Sequence, residues 1–247
     1  MDLGLQGRRA AVAASSAGLG LASAKALAAE GCRVVISGRD PDRLAAAAAE
    51  IPDVVAIEAD VSTPAGATAF VRAAAEALGG IDVLVPNAGG PPPGGFASTP
   101  LEAYLPALEL NLLSTVAMCL EAVPAMRDRG WGRVAAITSQ SVRQPLPGLI
   151  LSNTARAGVT GFLKTLALEV APDGVTVNSV LPGSHRTDRL RRLHGDHLDA
   201  VADFIPVRQL GRADDFGAVV AFLCSDHARF ITGAAIPVDG GTTGSLL

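Results

Sequence analysis

Two hydroxyls and one guanidinium set the chemistry open to this chain. Ser139 follows the apolar run Arg133-Val134-Ala135-Ala136-Ile137-Thr138, and thirteen residues later Ser152-Asn153-Thr154-Ala155-Arg156 places a second serine and an arginine four positions apart. On a helix that spacing is about one turn, so both side chains face the same way. Arg156 stays protonated, so it can stabilise an oxyanion or hold hydroxyl groups but cannot relay protons. A serine alcohol is a far weaker acid than a phenol, which titrates near 10. With each pKa unit worth about 1.4 kcal/mol, a neighbouring guanidinium does not bring Ser152 into a useful acid range. His185 is the remaining side chain nearby that titrates close to neutrality.

Length and composition bound the scaffold that must position these groups. A chain of 247 residues with 49% hydrophobic content fits one α/β domain, and a net charge of −4 argues against nucleic acid as a general partner. Cys32, Cys119 and Cys224 are isolated and lack metal-ligand spacing, the pattern of buried thiols in a reducing compartment; the expectation is a cytoplasmic protein with no metal site. The polar stretch Gln6-Gly7-Arg8-Arg9 precedes any apolar run, and none approaches the roughly 18–20 residues of a spanning helix, so no membrane association is expected.

Short β-rich runs alternate with alanine-rich stretches of helical character. The pattern predicts strands over 9–14, 33–37, 54–58, 81–85, 133–138, 175–180 and 235–238, and helices over 19–30, 41–50, 64–78, 101–127, 151–171 and 213–224. Asp40-Pro41 and Thr63-Pro64 each put a capping residue before a proline at the first helical position. Six crossovers on seven strands predict a single doubly wound Rossmann-type α/β domain over 1–247, a parallel sheet with helices on both faces and ligands at the strands' carboxyl ends. Residues 186–206, a polar insertion after the sixth strand, are expected to hang over the site as a lid.

The turn after the first strand reads Ala13-Ala14-Ser15-Ser16-Ala17-Gly18-Leu19-Gly20, a strand-loop-helix junction whose backbone N–H groups can approach a pyrophosphate. Together with Asn87-Ala88-Gly89, Ser139, Lys164-Thr165-Leu166-Ala167-Leu168-Glu169 and Pro182-Gly183, it resembles the short-chain dehydrogenase/reductase family over nearly the whole chain, from Gly7 to Gly241. Two departures stand out. Ala14 replaces the first glycine of the family's turn, with the Ser15 and Ser16 hydroxyls as candidate compensating donors, and Ser152 and Arg156 stand where the family carries its Tyr-x-x-x-Lys pair. The resemblance implies that Asp60 and Val61 hold an adenine ring, that Asn87, Ala88 and Gly89 lie along the cofactor, and that Asn111 orders a water. It also implies that Pro182, Gly183 and Thr187 hold the nicotinamide carboxamide, with His185 beside that end. At the end of the second strand Gly38-Arg39 stands in place of an acid, which favours NADP(H) over NAD(H).

The catalytic set implied is Asn111, Ser139, Ser152 and Arg156, without the family's tyrosine acid. Neither Tyr104, the sole tyrosine and expected to pack in the core, nor Lys164, about 12 Å along the helix from Arg156, replaces the lost pair. Three functions stay open: an NADP(H)-linked reductase resembling ketoacyl reductases, a non-redox cyclase, dehydratase or isomerase on the same scaffold, and a catalytically silent nucleotide-binding or partner protein. Arg186, Arg189, Arg191 and Arg192 make the lid basic, compatible with an anionic small-molecule substrate or an acyl-carrier partner, and equally with a solvated helix face. The segments Ile231-Thr232-Gly233 and Val238-Asp239-Gly240-Gly241 resemble the family's C-terminal ending at a tetramer contact, which implies a homotetramer or homodimer.

Overall fold

The computed structural model describes residues 1–246, apart from the side chains at 193, 194 and 196. Seven strands form one sheet: β1 (Arg9–Val12), β2 (Arg33–Gly38), β3 (Val55–Glu58), β4 (Val83–Val85), β5 (Gly132–Ile137), β6 (Val175–Pro182) and β7 (Ala235–Val238). Their order is β3-β2-β1-β4-β5-β6-β7 and every pairing is parallel. The order reverses between β1 and β4, which opens a crevice above their carboxyl ends.

Central strands buried on both faces need apolar residues at consecutive positions, and Val34-Val35-Ile36 and Val83-Leu84-Val85 supply them. One face is covered by helices α1 (Gly18–Ala29) and α8 (Ala213–Cys224), which bury Leu27, Phe216 and Val220 against Val12 and Ile36. The other is covered by α3 (Pro64–Leu78), α5 (Ser114–Asp128) and α6 (Ile150–Val170), with Phe70, Met118, Met126 and Leu163 on the sheet. Helix α2 (Pro41–Ala48) starts where expected, the Asp40 carboxylate accepting from Arg43 N at 3.1 Å; Thr63 caps α3 in the same way, accepting from Gly66 N at 3.2 Å.

The helix expected over 101–127 is interrupted. A 3₁₀ turn (Leu101–Ala103) leads into α4 (Tyr104–Leu108), then a π turn (Glu109–Leu113) and α5. The π turn carries Asn111, whose Nδ2 donates to Gly89 O at 2.7 Å, tying the distortion to the loop after β4. This stretch also corrects the expectation about spanning length. Leu101–Asp128 is long enough, and apolar enough over an 18-residue window of mean hydropathy 1.4, to cross a membrane by composition. Its buried positions Ala107, Asn111, Thr115, Met118, Ala122 and Met126 nevertheless recur at helical spacing and face the core, the stripe of a packed helix rather than of one apolar all round. The segment 186–206 holds α7 (Asp188–His194) and 3₁₀ turns, and it is less polar than expected, because its Leu198 and Ile205 form a small core with Leu210, which follows the segment.

Strand β1 ends two residues early because Ala14 turns to a left-handed φ of 45°. The turn is held by Ala14 N donating to Ser37 Oγ at 3.0 Å and Ala14 O accepting from Asn87 Nδ2 at 3.0 Å. A side chain in that conformation costs roughly 1–2 kcal/mol, whereas glycine there loses roughly 0.5–1 kcal/mol of entropy on folding. Ala14→Gly should therefore change stability in urea melts by less than about 1 kcal/mol, in the stabilising direction, and Ala14→Val should lose more than about 2 kcal/mol. A valine variant as stable as wild type would show that the turn does not hold this conformation.

Candidate active site

At the crevice's first turn, hydrogen bonding decides which groups face a ligand. Ser15 is fully buried; its Oγ donates to Val12 O at 2.7 Å and accepts from Ser37 N at 3.1 Å. That corrects the expectation that its hydroxyl is a free donor, since it already braces β1 against β2. Ser16 packs on Gly38 at the end of β2, where a β-carbon would lie 2.8 Å from its own. Gly18 takes φ 59°, and Gly20 is required by crowding: a β-carbon there would stand 2.7 Å from Ala14 O and 2.8 Å from Asn87 Nδ2. With Leu19 between them, these glycines open α1, so its unpaired N–H groups lie under the crevice.

Asn87 Nδ2 spans the strand reversal, donating to Ala13 O at 3.3 Å and Ala14 O at 3.0 Å. Ala88 and Gly89 continue this loop toward Asn111. On the opposite flank Val61 is buried in the core, while Asp60 faces solvent with Arg39 Nη1 3.8 Å from its Oδ2. Desolvation opposes ionisation of Asp60, but the hydrogen bond from Ser62 and the charge of Arg39 outweigh it and lower its pKa. Arg39 is 71% exposed, so this pair adds little stability and leaves the guanidinium free to turn.

A polar cluster that includes the predicted catalytic residues is assembled from the end of β5, the π turn and α6. Ser139 caps a 3₁₀ turn (Gln140–Val142), its Oγ accepting from Ser141 N at 3.1 Å, which leaves its proton to donate. Ser152 and Arg156 lie buried on one face of α6. Arg156 Nη1 donates to Ile137 O at 3.4 Å, two residues before Ser139, so the guanidinium reaches the carboxyl end of β5. Burial, reinforced by the charge of Arg189, lowers its pKa to about 10, still far above neutrality. Asn111 Oδ1 is buried without a partner among the described residues and is open to a water. Lys164 donates to Gly233 O at 3.0 Å, away from this cluster, and Tyr104 is half-buried on α4.

Beyond β6, Pro182 ends the strand and Gly183 N donates to Val238 O at 3.0 Å. Thr187 caps α7, accepting from Leu190 N at 3.4 Å, and its methyl stands over Gly18. His185 departs from expectation. Its ring is 5% exposed, bonds through Nδ1 to Gly183 O at 3.1 Å and meets Phe216 of α8 edge-on at 5.2 Å. It borders a cavity of about 180 Å³ with Ile205, Val207, Asp215 and Asp239, on the α8 side of the sheet rather than the α6 side. The imidazole is therefore a packing group and not an acid over the reacting end. The residue that sequence reasoning left unsorted is Arg189, which turns inward to Gly90.

An open parallel sheet whose order reverses at a glycine-bearing strand-helix turn defines a doubly wound, dinucleotide-binding type of fold. Residues 13–243 match the family model described as enoyl-(acyl carrier protein) reductase. Nodulation protein G of Azospirillum brasilense is 34% identical, over 94% of this chain and 96% of its own. The 3-oxoacyl-[acyl-carrier-protein] reductase FabG of Aquifex aeolicus is also 34% identical, over 98% and 99%. Among solved structures, L-sorbose reductase from Gluconobacter frateurii complexed with NADPH and L-sorbose superposes with a TM-score of 0.93 at 33% identity, covering 100% of both chains. The chain belongs to the short-chain dehydrogenase/reductase family of oxidoreductases.

Burial lowers the pKa of His185, against the opposing influence of the Gly183 hydrogen bond and of Asp215 and Asp239. Below the unfolded-state value near 6.5 the unfolded chain binds a proton that the folded state refuses, so stability falls as pH drops. The melting temperature should decline from pH 7 to pH 5, and His185→Gln should flatten that decline while lowering stability at pH 7 by about 1–3 kcal/mol. An unchanged pH slope in the variant would remove His185 as the cause.

Proposed function

We propose that this protein is an NADP(H)-linked oxidoreductase that interconverts a carbonyl and a hydroxyl group without a tyrosine acid. The observation that carries the reading is Arg156: a buried guanidinium with no carboxylate partner among the described residues, held at the end of β5 beside Ser139 and on the helix face of Ser152. A buried positive charge of this kind suits the oxyanion that develops as a carbonyl is reduced. The cofactor pocket fits a dinucleotide by its crowded Gly20, its open α1 terminus and the absence of an acid where β2 ends in Gly38. Arg39 beside that end suits a 2′-phosphate, and the related L-sorbose reductase was solved with NADPH.

When bound, the reduced nicotinamide supplies hydride. The protein's part is positioning and charge. The Ser139 hydroxyl donates to the substrate oxygen, Arg156 stabilises the charge gathering there, and Ser152 adds a second short polar contact. The substrate alkoxide, held by Arg156, then takes its proton from a water at Asn111 Oδ1, and bulk solvent neutralises the hydroxide left there, because the fixed charge of Arg156 cannot supply the proton and His185 is turned into the core. An acyl-carrier-bound substrate is compatible with the relatedness to the Aquifex reductase. The three unpaired, buried cysteines suit the cytoplasm. Exposed Leu120 on α5, Leu168 on α6 and Phe230 before β7 suit a homo-oligomer, a tetramer or a dimer.

Fluorescence titration should show submillimolar NADPH binding, tighter than NADH, with Arg39→Ala reducing the preference about tenfold or more. Absence of binding by either nucleotide overturns the reading. On a panel of carbonyl compounds, Ser139→Ala should lower kcat/KM about 100-fold with NADPH affinity unchanged. Activity found only in the Ser152→Tyr/Arg156→Lys double variant would instead mark a silent nucleotide-binding protein, the reading favoured by Ser152 at the acid's position.

A further inference from the structure

The four lid arginines separate by what each one faces. Arg186 donates to Asp199 at 2.7 Å and Arg191 to Asp188 at 3.4 Å, so two of them are neutralised within the lid, and Arg192 is exposed. Arg189 behaves differently. Although much of the residue is exposed, its guanidinium lies on the backbone of Gly90, where a β-carbon would fall inside it, and no carboxylate among the described residues pairs with it. Gly90 follows Gly89, whose carbonyl accepts from Asn111, so the guanidinium overhangs the reacting end. From the α6 side comes Arg156, buried and likewise without an acid, and close enough that the charge of Arg189 acts on it. Two like charges converging in a partly desolvated space repel one another unless an anion lies between them.

We propose that Arg189, seated on Gly90 next to the Gly89 that Asn111 holds, is the counter-charge for a carboxylate on the substrate, so the substrate is a carbonyl or hydroxyl compound that also bears an acid group. The inference rests on the dinucleotide reading above and adds the substrate class to it. The cofactor's pyrophosphate is the other source of an oxyanion in this crevice, but its place is the opening of α1, which Thr187 already overhangs at Gly18. Arg189 extends from α7 onto Gly90 of the loop after β4, the residue next to the Gly89 that Asn111 holds. A guanidinium matches a carboxylate with two parallel N–H donors, whereas a lysine offers a point charge.

The test uses the purified protein with NADPH and a series of short keto acids paired with their methyl esters. Turnover is read as NADPH oxidation, and binding as the change in fluorescence of the protein–NADPH complex. The acids are expected to be preferred over their esters at least tenfold in kcat/KM or in affinity. Arg189→Ala should abolish the preference, Arg189→Lys should retain part of it, and both should bind NADPH within about twofold of wild type. Equal handling of acids and esters by wild type, with NADPH binding intact, overturns this inference alone. A loss of NADPH affinity in Arg189→Ala with the acid preference retained also overturns it, by assigning the arginine to the pyrophosphate. If wild type binds no nucleotide, the functional reading fails and this inference falls with it.

Discussion

The side-chain amide of Asn87 joins the two halves of the sheet where its order reverses. By donating to the carbonyls of Ala13 and Ala14 it fixes the turn after β1 from across the crevice, and Ala14 O then lies so close to Gly20 that no side chain fits there. The same loop runs on through Gly89 to the Asn111 amide and through Gly90 to Arg189. One short segment after β4 therefore sets both ends of the crevice: the helix terminus suited to phosphate and the polar cluster suited to a reacting oxygen. The left-handed conformation of Ala14 costs roughly 1–2 kcal/mol, a sum that the bonds from Asn87 and to Ser37 Oγ offset at roughly 0.5–1.5 kcal/mol each.

In the cluster of Ser139, Ser152 and Arg156, a serine and an arginine that stand where the resemblance expects a tyrosine and a lysine limit how charge could be managed there. A group that titrates can deliver a proton and then take it back. Arg156, still charged well above neutrality, can only hold charge in place. Keeping a guanidinium buried with a single long bond to Ile137 O opposes folding, because desolvation is not repaid by a carboxylate. The arrangement makes physical sense when an anion, permanent or developing, is the intended partner. The placing of the Arg189 guanidinium on Gly90, with no carboxylate partner among the described residues, is consistent with the same kind of partner.

The parts legible in the sequence were those fixed locally. Consecutive apolar residues such as Val34-Val35-Ile36 announce a strand buried on both faces, and Asp40 and Thr63 cap their helices through residues three positions on. The four-residue spacing of Ser152 and Arg156 likewise puts them on one helix face. What escaped depends on partners distant in the chain. The hydroxyl of Ser15 looks free until Ser37 N donates to it. His185 looks like an exposed loop residue until Phe216 closes on its ring. The helix through 101–127 looks continuous until the Gly89 carbonyl draws Asn111 into a π turn. Four similar arginines within one lid could not be told apart before Asp199 and Asp188 had claimed two of them.

The segment that carries Arg189 is anchored at two places. Its near end is fastened where Arg186 N donates to Gly211 O at 2.8 Å and Gly211 N to Ser184 O at 3.0 Å, with the His185 ring buried beside them. Its far portion closes on its own apolar residues, Leu198, Ile205 and Leu210. Between these two anchors runs the short helix α7, capped by Thr187 directly over Gly18. On the carboxylate proposal, Arg189 meets the anion from a main chain that is already capped and hydrogen-bonded. Preorganisation of this kind favours discrimination by charge. It also gives His185 a packing role on the α8 side of the sheet, where the segment that carries the arginine begins.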